Sequence, residues 1–402
     1  MRRRVCVLAA AASVIVAAAA PQAASAAGAR PTSCTTSFDI PGADCRTISV
    51  PLDRTGKVPG NVSLFTERIK AIGKSKSTMV LFPGGPGAAA SVLGKDVIRD
   101  FGKAIEDHDL LLFDQRGTGR SDYLDCDVAL TPSYFVPIGE DAHQLGKTVE
   151  RCAKRLGARR AFFTTRQSAD DLEAVRTALG IDKYTLVGVS YGTRDAMAYA
   201  QAYPDHVDRL VLDSLVTAAG LDPFGLNTVH AVPRLLRQVC RGGGCDGITT
   251  DPVADLATLV AQLEKGPLRS NQAVRLAGCG IRPPITRSRL FDVIQQADED
   301  PALAAQLPVA IAEAARGRPY QLSELEAANS SHLFICFFQK LLKKVLHPPK
   351  KSLRDDLRLA AKSFSTADQI ATLCEESALP WPRDSVPSAR GRYAEDALAA
   401  MP

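Results

Sequence analysis

The chain has 402 residues, 46% hydrophobic and 23% charged, which excludes a disordered or collagen-like polypeptide and leaves room for two domains. Its net charge of +5 includes Arg2, Arg3 and Arg4 of a leader-like segment, so the remainder is close to neutral and implies no nucleic-acid partner. Ten cysteines suit neither a disulfide-stapled miniprotein nor a typical cytosolic enzyme.

At the start, basic Met1–Arg4 precedes the apolar run Val5–Ala20, and Ala24-Ser25-Ala26 supplies small side chains for cleavage. This pattern predicts a signal peptide over residues 1–26 and a secreted protein. The alternative, an uncleaved anchor, needs roughly 20 apolar residues and a stop-transfer pattern, and neither is present. Cys6 lies inside the apolar run rather than after a lipobox. Cleavage leaves Cys34, Cys45, Cys126, Cys152, Cys240, Cys245, Cys279, Cys336 and Cys374, an odd number. Close spacing favours Cys34–Cys45, Cys126–Cys152 and Cys240–Cys245, although spacing alone leaves connectivity open. No cysteine pair has the second Cys/His pair a zinc site needs, so no metal and no cofactor are expected.

Further along, Thr47–Leu52 and Val62–Ile69 alternate apolar and polar residues and predict a hairpin. Thr78–Phe82 reads as a buried strand running into Pro83-Gly84-Gly85-Pro86-Gly87, and Leu110–Phe113 as a second, running into Asp114-Gln115-Arg116-Gly117-Thr118-Gly119-Arg120-Ser121. A helix over Asp170–Leu179 stops at Gly180. Strand Tyr184–Val189, Ser190, a helix from about Gly192 to Tyr203 and strand Val207–Leu212 follow. Fully apolar strands separated by helices predict a mostly parallel sheet with helices on both faces. From about residue 216 the alternation stops, and helices are predicted over Pro252–Leu263, Arg287–Asp298 and Pro301–Ala315. In His332–Lys351 an apolar stretch meets Lys340, Lys343, Lys344, Lys350 and Lys351, which reads either as a lid helix with a solvated basic face or as a membrane-surface helix.

The chemistry is expected at Gly188-Val189-Ser190-Tyr191-Gly192. A serine flanked by glycine at both ±2 positions, after an apolar strand and before a helix, is the pattern of a nucleophile elbow. The sharp turn lifts the serine Oγ out of the sheet near a helix N-terminus, and side chains at the ±2 positions would collide with the adjoining elements. Gly84-Gly85-Pro86-Gly87 lets the main chain pass close to that serine. The N–H of Gly85, with Gly84 the alternative, would then join the N–H of Tyr191 as an oxyanion hole.

These motifs and Asp114-Gln115-Arg116-Gly117, in this order, resemble the prolyl/tripeptidyl aminopeptidase branch of the α/β-hydrolases. Asp205–Asp213 resembles the stretch after that family's nucleophile helix, and Phe364–Ala367, Cys374-Glu375-Glu376 and Pro380-Trp381 resemble part of its helical cap. The resemblance implies an α/β-hydrolase core over 27–215 and a helical cap over 216–402. It implies Ser190 as nucleophile, the Asp114–Ser121 stretch as support behind the oxyanion loop, and Glu375 and Glu376 as candidates to hold a substrate ammonium. The implied activity is removal of residues from peptide N-termini.

The family's acid turn and late Gly-His pair have no counterpart here. His206 and His108 enter strands at the wrong end of the sheet, His143 precedes the nucleophile, and His230, His332 and His347 follow no late core strand. Asp213 ends the strand after the nucleophile, a place where some α/β-hydrolases carry the acid, although the resemblance implies a structural Asp here. The expectation is therefore a hydrolase lacking its last core strands, weakly active or inactive by itself, with Val207–Leu212 left as an exposed, aggregation-prone edge. Two alternatives share the same motifs: an esterase/lipase-like hydrolase acting on small esters, and a non-catalytic binding protein on a hydrolase scaffold. No stable membrane span is expected after signal cleavage.

Overall fold

The computed structural model describes residues 28–34, 39–126, 140–216, 226–276, 279–281, 284–329 and 362–377, with scattered positions at 359, 382, 384–386, 388–390 and 392–393. The leader at 1–26, the segment His332–Lys351 and Pro380-Trp381 lie outside the described residues.

Seven strands form one sheet: β1 (Arg30–Pro31), β2 (Asp44–Pro51), β3 (Asn61–Ile69), β4 (Thr78–Phe82), β5 (Asp109–Phe113), β6 (Tyr184–Val189) and β7 (Val207–Asp213). Their spatial order is β1-β2-β3-β5-β4-β6-β7. The hairpin β2–β3 and the β3–β5 pairing are antiparallel, whereas β5, β4, β6 and β7 run parallel. Every residue of β4 and β5 is buried, as continuous apolar runs require when both faces are covered.

The period-2 alternation sends the two faces of β4 into different cores. Val80 and Phe82 join Leu111, Phe113 and Leu186 under Leu172, Val175, Ala196 and Tyr199. Met79 and Leu81 join Leu110, Leu112 and Val187 on the other side, against Val97 and Ile105. The covering helices are α1 (Gly94–Phe101), α2 (Ala104–Asp107), α3 (Glu140–Leu156), α4 (Thr165–Ala178) and α5 (Gly192–Ala202). Helix α4 begins five residues before its apolar period because Thr164 caps it, its side chain accepting from the Gln167 N–H. Each fully buried Leu, Val or Phe contributes about 1.5–3 kcal/mol of transfer free energy, so the β4–β5–β6 centre carries much of the stability.

The later residues build a separate apolar cluster from α6 (Leu226–Val239), α7 (Pro252–Lys265), α8 (Arg287–Glu299), α9 (Pro301–Ala315) and α10 (Tyr320–Asn329). The three predicted helices of this region are all present, and caps set their starts. Asp251, Thr286 and Asp300 each accept from first-turn N–H groups, and Pro252 and Pro301 follow their caps directly. A short antiparallel hairpin, β8 (Val274–Leu276) with β9 (Cys279–Ile281), lies between α7 and α8.

Helix α11 (Thr366–Glu376) lies far along the chain but packs into the sheet core through Ala367 and Ala371. The three closely spaced cysteine pairs are disulfides: Cys34–Cys45, Cys126–Cys152 and Cys240–Cys245. By contrast with the buried centre, β7 pairs with β6 alone among the described residues, and Leu210 and Val211 are 40% and 48% exposed.

Candidate active site

Ser190 stands between the end of β6 and the start of α5 with φ at +54°, a conformation that an L-residue adopts only under constraint. The constraint is visible in its neighbours. The Ser190 N–H donates to the Asp213 carbonyl at 2.9 Å, and its own carbonyl accepts from the Thr193 N–H and Oγ1 at 3.0 and 2.7 Å. A Cβ at Gly188 would stand 2.5 Å from the Gly192 carbonyl oxygen, and one at Gly192 would run into the Phe82 backbone. Both glycines are therefore required by backbone contact, and the motif spacing is the imprint of that contact. Ser190 itself is half-buried, open to a reactant.

The loop after β4 passes directly over it: a Cβ at Gly84 would be 3.0 Å from the Ser190 Cβ and 3.4 Å from its Oγ. Gly85 holds φ at +127°. Among the described residues, neither the Gly85 nor the Tyr191 backbone N–H donates to a protein acceptor. Paired N–H groups left unspent beside a nucleophile are what an oxyanion hole needs, since they are preorganised to meet negative charge.

Two supports hold this loop. Behind it, buried Asp114 accepts from the N–H and Oγ of Ser91, both at 2.8 Å, and from the Arg120 N–H at 2.9 Å. Burial pushes the Asp114 carboxyl above its ordinary range, against those three donors. Arg116, also buried, gives its forked guanidinium to Asp171 at 2.7 and 2.6 Å and bonds the carbonyls of Leu52 and Phe162. This stretch thus ties β5 to α4 and to the β2–β3 connection, the supporting part expected of it. In front of the loop, residues 363–365 lie along it. The Ala89 N–H donates to Ser363 at 2.9 Å, the Ser365 N–H donates to Gly87 at 2.8 Å, and Phe364 bridges Ala88.

Glu376 is brought close to the elbow, but its carboxylate is occupied within the protein. One oxygen accepts from the Tyr191 hydroxyl at 2.7 Å and the Thr165 hydroxyl at 2.9 Å, with Arg194 at 3.4 Å; the other accepts from the Thr165 N–H at 2.5 Å. It anchors the side chain of Tyr191, the residue that follows Ser190. Glu375, next to it, is exposed on α11. Burial raises the carboxyl of nearby Asp195 to about 8, and one of its oxygens has no hydrogen-bond partner among the described residues. Neither this anchor nor the 363–365 segment could be read from spacing: Thr165 and Glu376 are 211 residues apart.

No described histidine ring stands on Ser190. His108 is buried at the start of β5, its ring 2.6 Å from Asp107. His206 lies 3.1 Å from Glu173 and stacks on Tyr203, and His230 is exposed on α6. The His143 side chain, His332 and His347 lie outside the described residues. Among the described residues no three His, Cys, Asp or Glu side chains are grouped to hold a metal ion.

A cleft of about 420 Å³ opens at the other end of the parallel strands, lined by Arg68, Lys70, Lys76, Asp109 and Lys183 among others. It contains no elbow and no strained residue. In parallel sheets, ligands meet the carboxyl ends of the strands, which is where Ser190 stands. Residues 77–240 match the family model described as the alpha/beta hydrolase fold.

The chain has the α/β-hydrolase fold. The curated proteins it resembles at low identity include peptidases. It is 31% identical to a tripeptidyl aminopeptidase of Streptomyces lividans over 212 residues, covering 47% of this chain and 38% of that protein. It is 33% identical to the serine protease Hip1 of Mycobacterium bovis over 202 residues, with 46% and 39% covered, and 28% identical to a proline iminopeptidase of Neisseria gonorrhoeae over 162 residues, with 39% and 38% covered. The α/β-hydrolase chain thus spans well under half the length of these curated relatives. No helix among its described residues is long and apolar enough to cross a membrane.

Proposed function

We propose that this α/β-hydrolase performs acyl transfer on Ser190, as a serine exopeptidase acting at peptide N-termini. The observation that carries the reading is the elbow itself: a half-buried serine at φ +54°, beside two backbone N–H groups that donate to nothing among the described residues. Attack of the Oγ on a peptide carbonyl would move negative charge onto the carbonyl oxygen between Gly85 and Tyr191. Collapse of that intermediate would break the scissile C–N bond, the amine leaving with the proton given up by the serine hydroxyl, and water would then hydrolyse the acyl-serine to free the acid and restore Ser190. The similarity to peptidases favours an amide substrate. A role for Glu375 at a substrate ammonium rests on the resemblance of the Cys374-Glu375-Glu376 stretch, and Glu376 would act through Tyr191 instead.

Serine at its free pKa is a poor nucleophile, and no described base touches the Ser190 Oγ. Turnover of this chain alone is therefore expected near the residual level of about a thousandfold over water that an oxyanion hole and binding sustain. A fluorophosphonate probe tests the assignment: over a long exposure it should label the protein slowly at Ser190, and a wild type still unlabelled after that exposure would end the proposal. Comparison of an aminoacyl anilide with an acyl ester then separates peptidase from esterase. A binding protein on a hydrolase scaffold would hold peptides yet leave both substrates and the probe untouched.

Export belongs to the same proposal. Three disulfides are what an oxidising compartment permits. N-terminal sequencing of material from the culture medium should begin close to residue 27; recovery only inside cells would remove the export reading.

A further inference from the structure

We infer that the Phe364 ring forms the wall of the acyl subsite beside Ser190, so that the site prefers carbonyl compounds whose acyl portion carries an aromatic or bulky aliphatic group. The inference rests on acyl transfer at Ser190 and names the side chain that selects the group transferred.

The backbone fixes which way this ring turns. The Ala89 N–H donates to the Ser363 carbonyl at 2.9 Å and the Ser365 N–H to the Gly87 carbonyl at 2.8 Å, so Ala88 and Phe364 face each other between those two bonds. This is the non-hydrogen-bonded kind of antiparallel pair, in which opposite side chains approach most closely and share one face. Their neighbours take the other face. Ser365 is fully buried, its hydroxyl donating to the Leu124 carbonyl at 2.9 Å and accepting from the Asp368 N–H at 3.1 Å. Gly87 and Ala89 are buried with it, whereas Gly84, Gly85, Ala88, Phe364 and Ser190 are all half-buried. The alternation therefore puts the Phe364 ring on the face that carries the nucleophile and the glycines beside it.

Contact agrees with that direction. A Cβ at Gly85 would stand 3.2 Å from Cε2 of Phe364, and one at Gly84 would stand 3.4 Å from the Ser190 Oγ. The ring edge thus touches the residue whose N–H is the proposed oxyanion donor, and the next residue along touches the nucleophile. The pairing holds the main chain of Phe364 from both sides, and the Tyr123 hydroxyl donates to its carbonyl at 3.1 Å. The wall is therefore fixed by backbone, not by its own rotamer alone.

A carbonyl whose oxygen meets the Gly85 N–H carries its two other substituents past this ring. The leaving group departs when the tetrahedral intermediate collapses. The acyl portion stays, tied to the Oγ and aimed by the N–H pair, and is the part a fixed wall can discriminate. An aromatic face gains from apolar burial and ring packing, and it offers a carboxylate no donor. An acetyl or glycyl group leaves the ring without a partner.

Acylation by para-nitrophenyl esters tests this. The Oγ–C bond forms as the ester C–O bond breaks, nitrophenolate leaves, and the hydroxyl proton passes to water; the rate is nitrophenolate release less that of Ser190→Ala. Scaled by hydrolysis in hydroxide, the phenylpropanoate should acylate at least about tenfold faster than the acetate. Phe364→Ala should remove most of that preference while acetate acylation stays within about threefold, and Phe364→Tyr should keep the preference. Equal scaled rates in the wild type, or an undiminished preference in Phe364→Ala, overturn the inference and leave the serine assignment standing. So does a substitution that alters the ratio between nitrophenyl and methylumbelliferyl acetates instead, because the ring then meets the leaving group. No acylation by any ester, together with no fluorophosphonate labelling, ends both readings. Should Phe364→Ala fail to fold, Phe364→Leu takes its place: it must slow the phenylpropanoate by at least about threefold with the acetate unchanged, and equal slowing of both rejects the subsite.

Discussion

The two ends of the parallel strands use charge in opposite ways. At the N-terminal end, the roomy cleft is lined by groups that neutralise one another. Asp109 takes Arg68 at 2.7 Å, Lys70 at 3.1 Å and the Ala71 N–H at 2.9 Å, and Lys76 pairs with Asp107. Burial would raise the Asp109 carboxyl, but these donors outweigh it and hold it below its ordinary value. At the C-terminal end, Ser190 is strained, two N–H groups have no acceptor among the described residues, and burial raises the carboxyls of Asp114, Asp195 and Asp368. The costlier end is where the proposed site lies. Volume reports where atoms are missing, whereas unspent donors and strain report where stability has been given up for chemistry.

Each side of that contrast can be broken. The largest effect is expected at the nucleophile, where Ser190→Ala should abolish fluorophosphonate labelling while leaving the unfolding transition within about 0.5 kcal/mol or slightly raised, since strain is not relieved by a methyl group. Loss of labelling together with a collapsed fold would instead make Ser190 structural. Next comes Gly192→Ala, whose Cβ meets the Phe82 backbone; urea unfolding should lose more than about 3 kcal/mol, and a neutral result would contradict the tight strand–elbow contact.

The acidic burial can be sharpened through pH. Glu67 is fully buried on β3, and burial raises its carboxyl to about 7, opposed by the Ile40 N–H and assisted by Asp39. Arg120, 3.8 Å away, and Asp114 complete its charged surroundings. The folded state therefore holds a proton that the unfolded chain releases near 4.5, so this contribution is intact below about pH 4.5 and lost as pH rises through 7. The wild type should lose up to about 3 kcal/mol from this group between pH 4.5 and 8, and Glu67→Gln should remove that share of the slope. A slope unchanged by the substitution would put the proton elsewhere.

Smaller again is the anchor of the elbow. Glu376→Ala strips the acceptor from the buried Tyr191 hydroxyl and the Thr165 N–H, for an expected loss of about 1–3 kcal/mol and slower labelling of Ser190. Unchanged labelling would reduce Glu376 to packing alone. The other end supplies the control: Lys70, 70% exposed, should cost less than about 1 kcal/mol as Lys70→Ala and leave labelling untouched.

Much of this molecule is local and could be read along the chain. The continuous apolar runs of β4, β5 and β6 announce a sheet covered on both faces. The ±2 glycines around Ser190 announce a turn in which backbone touches backbone, and cysteines five to twenty-six residues apart close short loops onto themselves. What only the tertiary structure decided is which distant groups meet there. Asp171 receives Arg116 and Arg54, residues 363–365 lie along the glycine-rich loop after β4, and Glu376 reaches Tyr191 across 185 residues of chain. Periodicity and turn chemistry act over a few residues, so they specify elements and the strained serine between them. A carboxylate's partners, and hence its proton, depend on which surfaces the packed core brings within three ångströms, and no spacing in the sequence encodes that approach.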